Sequence, residues 1–265
     1  MRFMIIRKSA ENTEAGAKAS PALLAAMVGF HEDLAKAGIF KEGDGLKPSS
    51  VSTRVRLAGK KFAVVDGPFA ETKELVAGYS VVEVPSKDDA LAIMRRWPEE
   101  DGDVELELRQ LYGAEDFPAD PAAGEPPPPP APPVRKPGTT RYALLIKSDA
   151  RTEAGAPPDP VVIKQMDDLI GEAVATGAML GGQGLKPSAL GAKLRRTRGK
   201  VTMVDGPFTE SKELIAGATL LQYESKQEAI VFAKRWLQIH VDWSGTGEGE
   251  IEIRPMYEAE DFAAK

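Results

Sequence analysis

The residues best suited to chemistry occur twice. Asp66-Gly67-Pro68-Phe69 is followed by Glu71 and Lys73-Glu74, and Asp205-Gly206-Pro207-Phe208 is followed by Glu210 and Lys212-Glu213. An aspartate at a strand end, with a lysine and a second acid close behind, can bring carboxylates and an ammonium to one pocket. Such a set can do acid–base work or hold an anionic ligand once burial or neighbours tune the pKa values. Asp66, Lys73, Glu74, Asp205, Lys212 and Glu213 are therefore the candidate catalytic residues. The same segment also reads as purely structural. Asp-Gly is a turn signal, the aspartate can bond its own backbone two residues on, proline holds the preceding residue extended, and phenylalanine anchors the turn.

Other candidates are weaker. His31 titrates near neutrality as a free side chain, but it sits on an apolar helix stripe and its counterpart in the other copy is Ile170, which favours packing. His240, Asp242 and Trp243 lie in Leu237 to Gly249, a stretch about six residues longer than its counterpart, and Gly245, Gly247 and Gly249 mark it as a loop. Gly181-Gly182-Gln183-Gly184 lacks the Gly-Lys-Ser/Thr of a phosphate loop. Arg54, Arg56, Lys60 and Lys61, with Arg195, Arg196, Arg198 and Lys200, make two basic hairpins. These read as solvated strand faces or as anion or nucleic-acid contacts.

Composition narrows the classes. Of 265 residues, 40 are acidic and 34 basic, a net charge of −6, which argues against general nucleic-acid or anionic-membrane affinity. The chain has no cysteine, which excludes disulfides, thiolate metal sites and a cysteine nucleophile, and two histidines make a histidine-rich metal site in one chain unexpected. No cofactor and no metal is expected. No apolar run approaches the roughly 20 residues that span a bilayer, and the charged start does not read as a signal peptide. A soluble cytoplasmic protein is the expectation.

The organisation rests on a repeat. Shifted by 139 positions, Arg2–Trp97 aligns without a gap on Arg141–Trp236, with about a third of positions identical. Two domains are expected, 1–117 and 139–265, joined by the proline-rich 118–138 as an extended linker. Each copy reads as a strand (Phe3 to Arg7), a helix (Leu23, Leu24, Met27, Phe30, His31, Leu34), a short strand, a hairpin, a strand (Gly78 to Val84), a helix capped at Ser86, and a last strand. That strand, Glu105-Leu106-Glu107-Leu108-Arg109, alternates and reads as buried on one face and wet on the other. Two split βαβ units give an α+β, ferredoxin-like domain with both helices on one face of the sheet. Each bare sheet face then needs cover, so the two copies should pack sheet to sheet as a dimer fused into one chain, with a small-molecule site in the cleft between them and room for a further homo-oligomer.

The segment from Val64 to Glu74, with Gly45-Leu46-Lys47-Pro48 upstream and Glu107-Leu108-Arg109 downstream, resembles the DGPF branch of the YCII-related proteins. Val204 to Glu213 and Glu252-Ile253-Arg254 repeat the likeness. The resemblance implies a ferredoxin-like fold that pairs into a dimeric α/β barrel. It assigns no activity. Some relatives carry a histidine–aspartate pair at the start of the first helix, whereas Ala26-Met27 and Gln165-Met166 stand at the comparable positions here. Whether the chain is an enzyme stays open at this level. The alternative is a non-catalytic regulatory or stress-linked protein in which the Asp-Gly-Pro-Phe segment only fixes a turn.

Overall fold

The computed structural model describes residues 1–116, 134–208 and 214–262. The first half runs β1 (Arg2–Lys8), α1 (Glu11–Glu14), α2 (Pro21–Lys36), β2 (Phe40–Gly45), the hairpin β3 (Thr53–Ala58) and β4 (Lys61–Asp66), β5 (Val76–Glu83), α3 (Lys87–Arg95) and β6 (Val104–Gln110). The second runs β7 (Thr140–Lys147), α4 (Ala150–Glu153), α5 (Pro160–Ala175), β8 (Met179–Gly184), the hairpin β9 (Ala192–Thr197) and β10 (Lys200–Asp205), β11 (Ile215–Tyr223), α6 (Lys226–Ser244), β12 (Glu248–Pro255) and α7 (Ala259–Phe262). Most of the proline-rich 118–138 lies outside the described residues. Its end is docked, since the Gln222 amide donates to the Val134 carbonyl and accepts from the Lys136 N–H.

Local signals explain the helices. Ser20 caps α2 by accepting from the Leu23 N–H, with Pro21 in the first turn, and Gly38 at φ +73° follows its end. Ser225 and Glu228 form the reciprocal capping box of α6. At Ser86 only half of that motif forms: the serine accepts from the Asp89 N–H, while its hydroxyl donates to the Asp89 carboxylate.

The chain is α+β, with two six-stranded antiparallel sheets. Their orders are β10-β9-β6-β1-β5-β2 and β4-β3-β12-β7-β11-β8. Within each, four strands from one half make a ferredoxin-like set, and the outer hairpin comes from the other half. Thus β3 pairs with β12, placing Val55 opposite Ile251, and β9 pairs with β6, placing Leu194 opposite Leu106. Charge supports this exchange. Arg54 and Arg56 reach Glu252 and Glu250 of β12, and Arg195 bonds Glu105 of β6. The hairpins keep a solvated face, with Lys60, Lys61, Arg198 and Lys200 exposed, while Arg54, Arg56 and Arg195 pair with the acidic last strand of the opposite half.

The core has three layers. Phe3 and Ile5 of β1 pack with α2, α3 and Leu194, and Leu144 and Ile146 of β7 pack with α5, α6 and Val55. Met4 and Ile6 point the other way, into a shared cluster with Ala143, Leu145 and Leu220 between the two sheets. The central strands are therefore covered on both faces. This overturns the wet face expected for the last strand: Glu107, Arg109, Glu252 and Arg254 are 0–1% exposed. A charged side chain is tolerated there only when partners are present, and these come from its own strand, as in Arg109–Glu107 and Arg254–Glu252, and from the other half, as in Arg54–Glu252.

Candidate functional site

The two Asp-Gly-Pro-Phe turns do not form a pocket with their lysines and acids. Asp66 is exposed at the tip of β4. It accepts from the Thr53 hydroxyl at 2.5 Å and from Lys226 Nζ of the other half at 2.7 Å, and these bonds hold its carboxyl below the usual range. Asp205 is bonded likewise by Lys87 at 2.8 Å. Among the described residues no hydrogen bond or ion pair joins Asp66 to Lys73 or Glu74. Lys73 is exposed, and the Glu74 carboxylate reaches Arg54 at 3.3 Å. Lys212 and Glu213 lie outside the described residues. The Gly67–Pro68 and Gly206–Pro207 peptides are both cis, and Ser49 and Ser188 hydroxyls accept the Phe69 and Phe208 N–H groups. The geometry joins these turns to the opposite half's second helix.

The Gly-Leu-Lys-Pro and Glu-Leu-Arg residues form a deeper joint. Arg254 Nε and Nη2 donate to the Lys47 carbonyl, Nη1 to Glu252 at 2.9 Å and Nη2 to Glu14 at 3.3 Å. Arg109 repeats the pattern with the Lys186 carbonyl, Glu107 and Glu153. Lys47 itself holds Asp261, as Lys186 holds Asp116. Each buried arginine thus ties its own strand to two elements of the other half.

A cavity of about 550 Å³ opens under α2 in the first half. Leu23, Leu24 and Met27, the N-terminal part of the predicted apolar stripe, line it and are only half-buried; Phe30 and Leu34 further on are packed. The stripe is only partly covered at this end, with Met27 still touching the core cluster. At the cavity's polar end His31 Nε2 meets Ser80 Oγ at 2.9 Å, and its ring stacks on Phe40 at 4.6 Å. The buried Tyr79 hydroxyl donates to Asp44 at 3.3 Å, and burial together with the Asp44 charge pushes that phenol far above its usual pKa. Arg7 holds Asp101 through two bonds of 2.7 and 2.6 Å, and Trp97 donates to the same carboxylate. From the second half come Tyr257, Asp261 and Phe262. None of Asp66, Lys73, Glu74 or Asp205 lines this cavity. Among the described residues no three metal-ligating side chains gather, and no helix is long and apolar enough to cross a membrane.

Burial lowers the His31 pKa from its ordinary 6.5, so the ring is neutral near pH 7. The unfolded chain then takes up the proton first. Stability from this site is fully present above about pH 6.5 and declines as pH falls through the lower folded value. The expected result is a His31 ring titrating below 6.5 in 1H–15N spectra, with His31→Phe flattening the stability–pH curve in that window. A titration at or above 6.5 would contradict the packing described.

The residues that carry this geometry also match a known family model. Residues 1–107 match the YCII-related domain. The first half is thus similar to the YCII-related domain. An uncharacterized protein of Rhizobium meliloti is 27% identical over 117 residues, which cover 43% of this chain and 90% of that protein. A solved candidate monooxygenase of Fusobacterium nucleatum covers 97% of this chain and 91% of its own at 6% identity, but its TM-score of 0.32 is too low to bear on fold or activity.

The two halves differ at the cavity. His31, Tyr79, Asp44 and Arg7 face Ile170, Ala218, Gln183 and Ile146 in the repeat. The second half also fills this region from within. The stretch read as a glycine-rich loop is helical: α6 continues to Ser244, burying His240 and Trp243. His240 meets Asp149 at 3.1 Å, and Trp243 lies under the Arg151 guanidinium at 5.0 Å. Sequence reasoning passed over His31 because its counterpart is isoleucine. That difference between copies was the available signal. Asp66 and Asp205, shared by both copies, serve the joint between the halves, whereas the cavity combines shared residues such as Glu14 and Trp97 with His31, Tyr79, Asp44 and Arg7, which the second half lacks.

Proposed function

We propose that this chain binds a small organic molecule in the cavity beneath α2, with neutral His31 and Ser80 as its hydrogen-bonding end and His31 available as a general base. The observation that carries this reading is the half-buried Leu23–Leu24–Met27 stripe facing a cavity of ligand size with a partly buried imidazole at its end. On this reading the second half is a second copy of the same domain, of the Asp-Gly-Pro-Phe branch, and the two copies stand for the subunits of a dimeric α/β barrel. That copy supports the first and supplies one wall of its site. The Asp66 and Asp205 turns act as connectors rather than as proton donors. Bonding of each to the opposite half supports this, and it retains the structural part of the non-catalytic alternative.

The test is a metabolite-pool screen by native mass spectrometry on the full chain. Wild type and Asp66→Asn are expected to retain the same compounds, and Leu24→Trp, which fills the cavity from the helix side, to lose them. Retention by Leu24→Trp with loss in Asp66→Asn would return the site to the Asp-Gly-Pro-Phe turn.

A further inference from the structure

Resting on that reading of the cavity, we propose that the site takes a compact organic amine and discriminates against carboxylates and phosphates. The argument begins with the cations on the lining, Arg7 and Lys18. Arg7 is already committed: Nε and Nη2 go to Asp101 and Nη1 to the Lys8 carbonyl. Lys18 is exposed at the rim and donates to the Asp261 carbonyl. An anion entering the inner part of the cavity beside Arg7 would therefore lose its water without gaining a free cationic partner there, which is costly in a partly buried site.

Acceptors are placed differently. Glu14, Asp44 and Asp261 line the cavity, whereas the cations that neutralise them, Arg254, Arg141 and Lys47, do not. The wall thus turns carboxylates rather than guanidinium or ammonium groups toward a ligand. Asp44 is the most available: Oδ1 is held by Arg141 at 2.7 Å, but Oδ2 takes only the long bond from Tyr79. Glu100 and Asp103, also on the lining, pair with no cationic side chain among the described residues. The rest of the wall is apolar, aromatic or neutral and polar, and it includes Trp97, Tyr79 and Tyr257, a type of side chain that attracts a cation over its ring. In the second half Gln183 and Ala218 replace Asp44 and Tyr79, so the carboxylate is absent there.

Three probes of one body shape test this: tryptamine, tryptophol and indole-3-acetate, titrated by calorimetry at pH 7 into the full chain and into Leu24→Trp, with Met27→Trp as the second blocked variant should the first fail to fold. The expected order is tryptamine tightest, with a Kd about tenfold or more below that of indole-3-acetate, and tryptamine binding weakened at least about tenfold in the blocked variant. Indole-3-acetate binding as well as or better than tryptamine, and losing affinity in the blocked variant, would overturn the amine assignment and leave the ligand site standing. Binding of none of the three, or binding indifferent to the blocking substitution, would overturn the site itself.

Discussion

Arg254→Ala is expected to lower folding stability by about 3–5 kcal/mol, and Arg109→Ala by a similar amount. Each guanidinium is fully buried. Removing Arg254 takes one of the two cationic partners from the Glu252 carboxylate, 1% exposed, which keeps Arg54, removes the cation from Glu14, and strands the Lys47 carbonyl. Uncompensated charge in a dry interior is among the largest single penalties a substitution can impose. The loss should also weaken attachment of one half to the other, because Glu14 and Lys47 belong to the first half and Arg254 to the second. Urea unfolding measures it. Arg56→Ala is the control, since Arg56 is 62% exposed and pairs with Glu250 at the surface, where such pairs contribute at most about 1 kcal/mol. Equal losses for Arg254→Ala and Arg56→Ala would show that the buried network does not join the halves.

The second large effect is expected at the Asp-Gly-Pro-Phe turns. A Cβ added at Gly67 would lie 1.8 Å from the Ser49 carbonyl oxygen, and one at Gly206 would lie 1.9 Å from that of Ser188. The obstacle is backbone, so it cannot swing aside as a side-chain tip could. Gly67→Ala should cost about 3 kcal/mol, the upper part of the range for overpacking. Gly29→Ala supplies the contrast. Gly29 lies within α2 with nothing within 4 Å of an added Cβ, so alanine should be neutral or stabilising by up to about 1 kcal/mol. Thermal melts of both variants decide the matter. If Gly67→Ala melts with Gly29→Ala, the turn is not held against the Ser49 backbone, and the identity of the two turns needs another cause.

Legibility in the sequence followed the range of the interactions. The offset of 139, the strand and helix order and the caps at Ser86 and Ser225 depend on neighbours a few positions apart, and one-dimensional spacing records them. The α+β class followed from that order. The fate of Glu107 and Arg109 did not. An alternating Glu-Leu-Glu-Leu-Arg strand looks half-wet because its partners, Lys186 and Glu153, are 77 and 44 positions away from Arg109. The helical course of Leu237–Ser244 was hidden in the same way: the burial of His240 and Trp243 against Asp149 and Arg151 outweighed the nearby glycines.

By itself, then, the sequence determined the α+β class and a strand, turn and helix order that occurs twice along the chain, because those depend on local backbone preference and apolar period. Tertiary structure alone decided that the hairpins change places, that the paired aspartates bond the opposite half, and that a ligand-sized cavity lies beside His31 in the first half. Those outcomes depend on which charges and side-chain volumes meet across the two halves, and contacts between residues as far as 240 positions apart leave no periodic mark in a single chain.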